Sequence, residues 1–166
     1  MKNIGICPGS FDPVTMGHLD IIERSCKVFD HVIVAVMINP SKKTLFTVEE
    51  RIDLLRRATA GMENVEVVGF AGLLADYAKQ RGATAVIKGL RAVTDFEYEF
   101  QQALTNKKLN PDMETLFMTT NSEHMFLSSS IVKQIAMFGG DISNFVPECI
   151  LEDVKNRIHE DMKIQG

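Results

Sequence analysis

The sequence has no tryptophan, only two tyrosines and only five prolines among its 166 residues. Its three cysteines, Cys7, Cys26 and Cys149, lie far apart and outside any CxxC or histidine-paired spacing. This spacing argues against a disulfide framework and against a zinc site, so we expect inert thiols in a reducing compartment. The sequence also contains no apolar run that approaches the length of a membrane-spanning helix.

An excess of positive charge is also absent. The chain has 18 Lys and Arg against 22 Asp and Glu, which gives a formal net charge of -4. A protein that coats nucleic acid needs a basic surface, so we do not expect nucleic acid as a partner. The lack of a long apolar run leads us to expect no membrane partner either. Residues 1–3 lead directly into an apolar stretch and leave no room for a signal peptide, so we expect a cytoplasmic location.

What the sequence does have is a regular alternation of two patterns. Short apolar, β-branched runs alternate with helical spacing, and no repeat or linker divides the chain, so one domain over residues 1–166 is predicted. This order predicts an α/β fold, a single doubly wound, Rossmann-like domain with a five-stranded parallel sheet, helices on both faces and a C-terminal helix. The predicted strands are 4–7, 31–38, 65–70, 85–87 and 115–118, and the predicted helices are 17–29, 51–58, 73–81, 94–108, 131–138 and a tail helix from 147.

Three predicted helix boundaries have sequence signals of their own. Thr47-Val48-Glu49-Glu50 has the spacing of a capping box. In this motif the Thr47 side chain bonds an early helix amide, and the Glu50 side chain bonds the Thr47 amide. Gly82 stands where a helix that ends at Arg81 would need a left-handed residue. The run from Ser128 to Ser130 can cap the helix that follows it.

The stretch from Gly9 to His18 joins the first predicted strand to the first predicted helix. Gly9 and Gly17 let the backbone approach a ligand closely, and Pro13 stiffens the turn between them. The amides at a helix start carry partial positive charge, so a phosphate can bind there, and His18 would point at it. The alternative is an ordinary strand-to-helix turn with a surface histidine.

Three cationic side chains are predicted to follow strands at the same edge of the sheet. Lys42 follows the second strand, and Lys88 and Arg91 lie in the predicted loop after the fourth. Ligands of open α/β sheets bind outside the carboxyl ends of the strands, so these cations and His18 indicate an anion site without an acidic partner close by. The sequence shows no catalytic triad, metal-ligand cluster or Walker loop. What remains is a histidine with cations at a phosphate site, and this combination suits nucleotidyl or phosphoryl transfer.

A family resemblance is consistent with that chemistry. Gly9-Ser10-Phe11-Asp12-Pro13 followed by Gly17-His18 resembles the signature of the HxGH-type nucleotidyltransferases. Five further stretches make the chain similar to the bacterial phosphopantetheine adenylyltransferases, namely 40–43, 46–51, 88–92, 95–99 and 128–130. The resemblance implies that ATP and 4'-phosphopantetheine give dephospho-coenzyme A and pyrophosphate, the penultimate step of coenzyme A synthesis. It also implies Mg²⁺ as cofactor and a homohexamer. Coenzyme A is a larger relative of the product and is therefore a candidate inhibitor.

The same resemblance implies roles for matched positions, none of which is a metal ligand. His18 would stabilise the transition state, with Lys42 and Ser10 as the other catalytic residues. The acceptor, 4'-phosphopantetheine, would contact Ser10, Lys42, Leu74, Lys88 and Asn106. The residues that would bind ATP are Ser10, Phe11, His18, Gly89, Leu90, Arg91, Glu99, His124, Met125, Phe126, Leu127, Ser128, Ser129 and Ser130.

Five positions differ from the residues common in the family. Ser10 replaces Thr and keeps its hydroxyl, Leu74 replaces Met at similar volume, and Cys7 replaces Tyr. Lys88 replaces Arg and so gives up bidentate phosphate geometry, and His124 replaces Trp, which bears on any contact with adenine. Two alternatives stay open, namely a related nucleotidyltransferase for nicotinamide mononucleotide or a small phosphorylated alcohol, and a non-catalytic adenine-nucleotide sensor.

Overall fold

The computed structural model describes residues 2–91 and 93–165, so Met1, Ala92 of one family motif and Gly166 lie outside the described residues. Within the described part, no helix is long and apolar enough to cross a bilayer. Two short 3-10 turns, Ser122–His124 and Glu148–Ile150, precede the last two helices. The strands and helices in chain order are β1 Ile4–Gly9, α1 Met16–Cys26, β2 His31–Met37, α2 Val48–Ala58, β3 Val65–Phe70, α3 Leu74–Arg81, β4 Ala85–Leu90, α4 Val93–Leu109, β5 Glu114–Thr119, α5 Ser129–Met137 and α6 Leu151–Gln165.

The five strands form one parallel sheet in the order β3-β2-β1-β4-β5. This is the doubly wound arrangement that the sequence predicted, with its reversal of strand order between β1 and β4. β1 pairs with β2 along its whole length, whereas its pairing with β4 covers Gly5 with Ala85 and Ile6 with Val86. The carboxyl ends of β1 and β4 therefore separate, and the space between them is open to a ligand.

Side chains of the central strand β2 alternate between two apolar layers. Val32, Val34 and Val36 pack in a core that also contains residues of α1, α2, α5 and α6. Ile33 and Ala35 pack on the opposite face with residues of α3, and α4 lies beside α3. A parallel strand covered on both faces needs apolar residues at successive positions, which explains the uninterrupted apolar run of β2.

The first helix is shorter than predicted. It ends at Cys26 rather than at residue 29, because the amides of Val28 and Phe29 both donate to the Ser25 carbonyl and close the last turn. Phe29 therefore lies beyond the helix, although its ring is buried in the core on the α1 side of the sheet.

The fourth strand is longer than predicted, and this correction concerns the site. The sequence predicts a loop at residues 88–90, and both lysine and glycine are depleted in strands. The structure instead pairs Lys88 with Phe117, and Gly89 and Leu90 with the next two residues of β5. Hydrogen bonding to β5 outweighs local propensity, so Lys88 has a fixed direction in the sheet.

The three predicted capping signals are confirmed, although α2 begins at Val48 and α5 at Ser129, before the predicted starts at 51 and 131. Thr47 Oγ1 accepts from the Glu50 amide at 3.2 Å, and the Glu50 carboxylate accepts from the Thr47 amide at 2.8 Å. Gly82 has a φ of 62° at the end of α3, in the left-handed region that glycine adopts without a steric penalty. Ser128 caps α5 by accepting from the Ile131 amide at 3.2 Å.

Candidate active site

A cavity of about 180 Å³ lies where β1 and β4 separate. Cys7 of β1 and Ile87 of β4 supply apolar parts of its lining, and polar groups come from α1, β4 and α4. A cavity at the carboxyl ends of the strands, at the reversal of strand order, is the usual ligand site of this architecture. Seven of the predicted site residues line it, namely Phe11, His18, Lys88, Gly89, Arg91, Glu99 and Leu127.

The first loop, residues 10–15, connects β1 to α1 and is anchored by long-range hydrogen bonds. Arg51 of α2 donates to the Ser10 carbonyl at 2.8 Å. Ser129 of α5 donates from its hydroxyl to the Pro13 carbonyl at 2.7 Å. These bonds satisfy buried carbonyl groups and hold the loop between two helices that are distant in the chain.

Phe11 has an unusual backbone conformation within that loop. Its φ of 49° lies in the left-handed region that bulky residues rarely adopt, and such strain clusters at functional sites. The ring packs over Gly9, where a Cβ would lie 3.1 Å from it, and meets the His18 ring edge-on at a centroid distance of 5.0 Å. Phe11 therefore supports one side of the imidazole.

His18 is held by a capping box in which the imidazole takes the place of the usual carboxylate. The Thr15 amide donates to His18 Nδ1 at 3.1 Å, and the His18 amide donates to Thr15 Oγ1 at 3.3 Å. Because a backbone N–H can only donate, Nδ1 must accept, and the neutral ring carries its proton on Nε2. His18 thus has a hydrogen-bond donor available at Nε2.

The surroundings of His18 keep its ring neutral. Burial, and secondly the positive charge of Arg91, lower the pKa of His18 from 6.5 to about 4. Both effects act against the protonated ring, since burial removes water from a charge and the guanidinium repels it. At neutral pH His18 is therefore a neutral donor, which suits stabilisation of charge on an oxygen atom.

The two cations of the β4 side have different partners. Lys88 Nζ lies 3.2 Å from Glu99 Oε2 and 3.4 Å from Oε1, so the expectation of cations without an acidic partner is wrong for Lys88. The pairing arises because α4 packs beside β4. Arg91 donates from Nη1 to the Leu127 carbonyl at 2.9 Å, which connects the end of β4 to the start of α5. An anion that binds Lys88 would compete with Glu99 for its ammonium group.

The other residues predicted to contact the acceptor lie outside the lining of this cavity. Lys42 is exposed on the second loop, residues 38–47, which follows the carboxyl end of β2. Leu74 is buried at the first residue of α3, beyond the end of β3. Asn106 lies in the last turns of α4, roughly 10 Å along the helix axis beyond Glu99, which lines the cavity.

The segment from His124 to Ser130 borders the cavity rather than filling it. Leu127 contributes to the lining, and the structure places Met125 and Phe126 in exposed positions. The Ser128 hydroxyl accepts a hydrogen bond in the α5 cap, and the Ser129 hydroxyl donates one to the first loop. Ser130 is exposed. The start of α5 is thus next to the first loop, as a shared phosphate site requires.

Sequence reasoning missed several residues that organise the site. Thr15 had a local signal, because Thr15-x-x-His18 repeats the spacing of Thr47-x-x-Glu50. Arg51 lies in the family-like stretch 46–51, but neither Arg51 nor Lys133 has a spacing that predicts its contact, since their partners in the first loop, Ser10 and Asp12, are 41 and 121 residues away in the chain. Such contacts follow from the fold and not from spacing.

Comparison with known proteins agrees with this geometry. Residues 6–135 match the family model described as cytidylyltransferase-like. The phosphopantetheine adenylyltransferase of Clostridium tetani (strain Massachusetts / E88) is 58% identical over 152 residues, which cover 92% of this chain and 95% of the relative. That of Caldanaerobacter subterraneus subsp. tengcongensis is 58% identical over 149 residues, 90% and 93% of the two chains. The chain belongs to the phosphopantetheine adenylyltransferase family.

A solved structure shows the same fold at low sequence identity. A proposed nicotinate-nucleotide adenylyltransferase from Vibrio parahaemolyticus matches 95% of this chain and 96% of its own with a TM-score of 0.68 and 20% identity. At that identity the likeness concerns the fold alone. Membership of the phosphopantetheine adenylyltransferase family confirms the nucleotidyltransferase class predicted from the first loop.

Proposed function

We propose that this chain reversibly transfers the adenylyl group of ATP to 4'-phosphopantetheine, giving dephospho-coenzyme A and pyrophosphate. The observation that carries the proposal is the 58% identity, over nine-tenths of the chain, to relatives named phosphopantetheine adenylyltransferase. The cavity between β1 and β4 supports it, because His18, Lys88 and Arg91 converge there on one volume.

The reaction needs no side-chain base. The phosphate of 4'-phosphopantetheine is already anionic, so one of its oxygens can attack the α-phosphorus of ATP in line. A bond forms between that oxygen and the α-phosphorus, and the bond from the α-phosphorus to the bridging oxygen of pyrophosphate breaks on the opposite side. No covalent intermediate with the protein forms, and the protein positions the two anions and neutralises their charge.

His18 would act on the charge that grows at the α-phosphate. Its Nε2–H is a neutral donor held in place by Thr15 and Phe11, and such a donor needs no reorganisation during the reaction. The Lys42 ammonium, the Ser10 hydroxyl and the amides at the start of α1 would share this role. A donor of this kind is worth about 3 kcal/mol when it meets charge only in the transition state.

We propose separate sets of residues for the acceptor and for ATP. On the acceptor side we propose Ser10, Lys42, Leu74, Lys88 and Asn106, with Lys88 exchanging Glu99 for the acceptor phosphate. The residues proposed to contact ATP are Ser10, Phe11, His18, Gly89, Leu90, Arg91, Glu99 and the seven residues 124–130. Gly89 lines the cavity, and a Cβ there would lie 3.0 Å from Ile21 of α1, so the packing of α1 on β4 leaves little room for a side chain at this position.

Magnesium would be bound mainly through the phosphates of ATP. Among the side chains that the structure describes, no three from His, Cys, Asp or Glu are close enough to hold a metal ion. This donor set fits an ion carried by its substrate, because Mg²⁺ in phosphoryl-transfer sites keeps water and phosphate oxygens as its main ligands. When bound, the ion neutralises the charge of the triphosphate.

We also propose that the chain assembles as a homohexamer. Large apolar side chains that are exposed in one chain support self-association, since exposed apolar patches are typical of interfaces. Five of these side chains lie on the single helix α4, namely Phe96, Tyr98, Phe100, Leu104 and Leu109. Coenzyme A, as a larger relative of the product, is proposed to compete for the product site.

Release of pyrophosphate tests the proposed reaction. The chain is incubated with ATP and Mg²⁺ and with one of three acceptors: 4'-phosphopantetheine, nicotinamide mononucleotide or glycerol phosphate. We expect release with 4'-phosphopantetheine alone. Release only with nicotinamide mononucleotide would replace the proposed acceptor, and ATP binding without release under all three conditions would indicate a nucleotide sensor. Trapping a labelled adenylyl group on the protein would contradict direct transfer.

A further inference from the structure

One buried carboxylate connects three elements of the site. Asp12, in the first loop, is 4% exposed. Its Oδ2 accepts from the Leu45 amide at 2.8 Å, and its Oδ1 accepts from the Phe46 amide at 2.9 Å. Lys133 of α5 adds an ion pair to Oδ2 at 3.1 Å. A buried carboxylate is costly without partners, and these three donors satisfy both of its oxygens.

The elements that meet at Asp12 each carry proposed substrate residues. The first loop contains Ser10, and α5 begins at Ser129. The second loop contains Lys42, three residues before the amide that binds Asp12. Residues 39–43 of the second loop are exposed, so the position of Lys42 depends on where the loop is anchored.

The second loop has a further anchor that does not involve the site. Arg157 of α6 donates to the Leu45 carbonyl at 3.1 Å. This bond fixes the loop to α6, whereas the two bonds to Asp12 fix it to the first loop. Arg51 of α2 adds an indirect connection between the loops, since it donates to the Ser10 carbonyl at 2.8 Å and to the Thr47 carbonyl at 3.3 Å. The bonds to Asp12 join the two loops directly, and they lie closer to Lys42 in the chain.

We propose that Asp12 is a positioning residue for Lys42. It attaches the second loop to the first loop, so that the Lys42 ammonium and Ser10 face the same acceptor phosphate, and Lys133 holds the carboxylate between them. The inference rests on the proposed function, in which Lys42 binds that phosphate. Asp12 itself touches no substrate in this scheme and acts through the backbone of the second loop.

A double-mutant cycle between Asp12→Asn and Lys42→Ala tests the inference. In Asp12→Asn, one of the two loop amides faces an amide NH₂ group in place of a carboxylate oxygen, and the hydrogen bond is lost. We expect the KM for 4'-phosphopantetheine to rise about tenfold while the Kd for ATP stays within about twofold. In a Lys42→Ala background, Asp12→Asn should change kcat/KM for 4'-phosphopantetheine by less than about twofold, because coupled residues are not additive.

Lys133→Met provides a second variant in case Asp12→Asn does not fold. Methionine keeps a long side chain but removes the positive charge that pairs with Asp12. The KM for 4'-phosphopantetheine should therefore rise, as in Asp12→Asn, and the effect of Lys133→Met should not add to that of Lys42→Ala. Lys155→Met is the matched control, since Lys155 of α6 forms an exposed ion pair with Glu152 at 3.5 Å and is not among the residues that line the cavity. Its kinetic constants should equal those of the wild type. Thermal unfolding of every variant checks that the chain is folded.

The outcomes separate this inference from the proposed function. If the losses of Asp12→Asn and Lys42→Ala simply add, or if the ATP Kd rises as much as the KM for the acceptor, Asp12 is a general support and the inference is wrong. If Lys42→Ala alone leaves the acceptor KM unchanged, the proposed role of Lys42 fails and this inference fails with it. Non-additive losses confined to the acceptor support both.

Discussion

His18 acts through three constraints that meet on one ring. Thr15 fixes the proton on Nε2, Phe11 supports one side of the imidazole, and burial with Arg91 keeps the ring neutral. A neutral, oriented donor binds a ground-state phosphate only weakly and gains strength as negative charge develops on the oxygen it faces. This is the property expected of a group that acts mainly in the transition state.

Replacement of His18 by alanine therefore should lower turnover far more than ATP affinity. We expect kcat to fall about 10²- to 10³-fold in His18→Ala, as for loss of one oriented donor, with the ATP Kd nearly unchanged. Steady-state kinetics with both substrates and a direct ATP binding measurement check this. Equal losses in kcat and in ATP affinity would instead assign His18 to ground-state binding.

The low pKa of His18 also affects stability. A pKa of about 4 in the folded chain, below the ordinary 6.5, means that the unfolded chain takes up a proton first as the pH falls. The free energy of unfolding should thus decrease between pH 6.5 and about 4, and His18→Gln should lack this component. Urea unfolding of both proteins at pH 7 and pH 5 measures the difference. An identical pH response in both would show that His18 titrates normally.

At the scale of elements, α1 and α2 begin with the same capping motif, which has a different role in each helix. The hydroxyl oxygens of Thr15 and Thr47 each accept a hydrogen bond from the backbone amide three residues later. The side chain of that later residue accepts a hydrogen bond from the threonine amide. In α2 the returning side chain is a structural carboxylate, whereas in α1 it is the imidazole of the cavity.

These two caps make a matched pair of variants. Thr15→Ala and Thr47→Ala should each lower the free energy of unfolding by about 1 kcal/mol, because each removes one N-cap acceptor. Only Thr15→Ala should also lower kcat, since only that cap orients His18. Chemical denaturation and adenylyl transfer are measured on the same preparations. A loss of kcat in Thr47→Ala as large as that in Thr15→Ala would show that activity follows stability alone.

Strand β4 positions two proposed site residues that the sequence predicts to lie in a loop. Lys88 and Gly89 stand in a paired strand, so their directions follow from the sheet. Pairing fixes Lys88 near Glu99 and leaves Gly89 in the cavity wall. A residue in a strand loses less entropy on binding a ligand than one in a loop, which favours a defined phosphate site.

At the scale of the whole molecule, α4 is the helix whose apolar residues are least covered in the described chain. Phe96 stacks with Phe100 and meets Phe117 of β5 edge-on, so aromatic rings form a continuous surface with the edge of the sheet. An uncovered aromatic surface of this kind is the expected contact between copies in a homo-oligomer.

Charge on that surface should prevent assembly. We expect the wild type to have the mass of a hexamer in solution, and Leu104→Lys to have a smaller mass, because burial of an unpaired ammonium opposes association. Val28→Lys, at a similarly exposed apolar residue after α1, is the control and should stay assembled. Light scattering coupled to size exclusion gives the masses. A wild type with the mass of one chain would contradict the hexamer.

Local patterns were enough to predict much of this protein. The apolar run of β2 follows from burial on both faces, the caps at Thr47, Gly82 and Ser128 follow from local hydrogen bonding, and the order of strands and helices implies a parallel sheet. The stretch from Gly9 to His18 could be recognised as a nucleotidyltransferase loop, because its residues are contiguous.

The tertiary structure decided what depends on distant partners. Pairing with β5 placed Lys88 in a strand and packing of α4 set Glu99 against it, which reversed the expectation of an unpaired cation. Burial keeps His18 neutral, so that it acts as a donor, and Asp12 forms an ion pair with Lys133, which is 121 residues away in the chain. The residue types were visible in the chain, but their protonation, partners and directions arise from burial and long-range contacts that form only when the sheet is assembled.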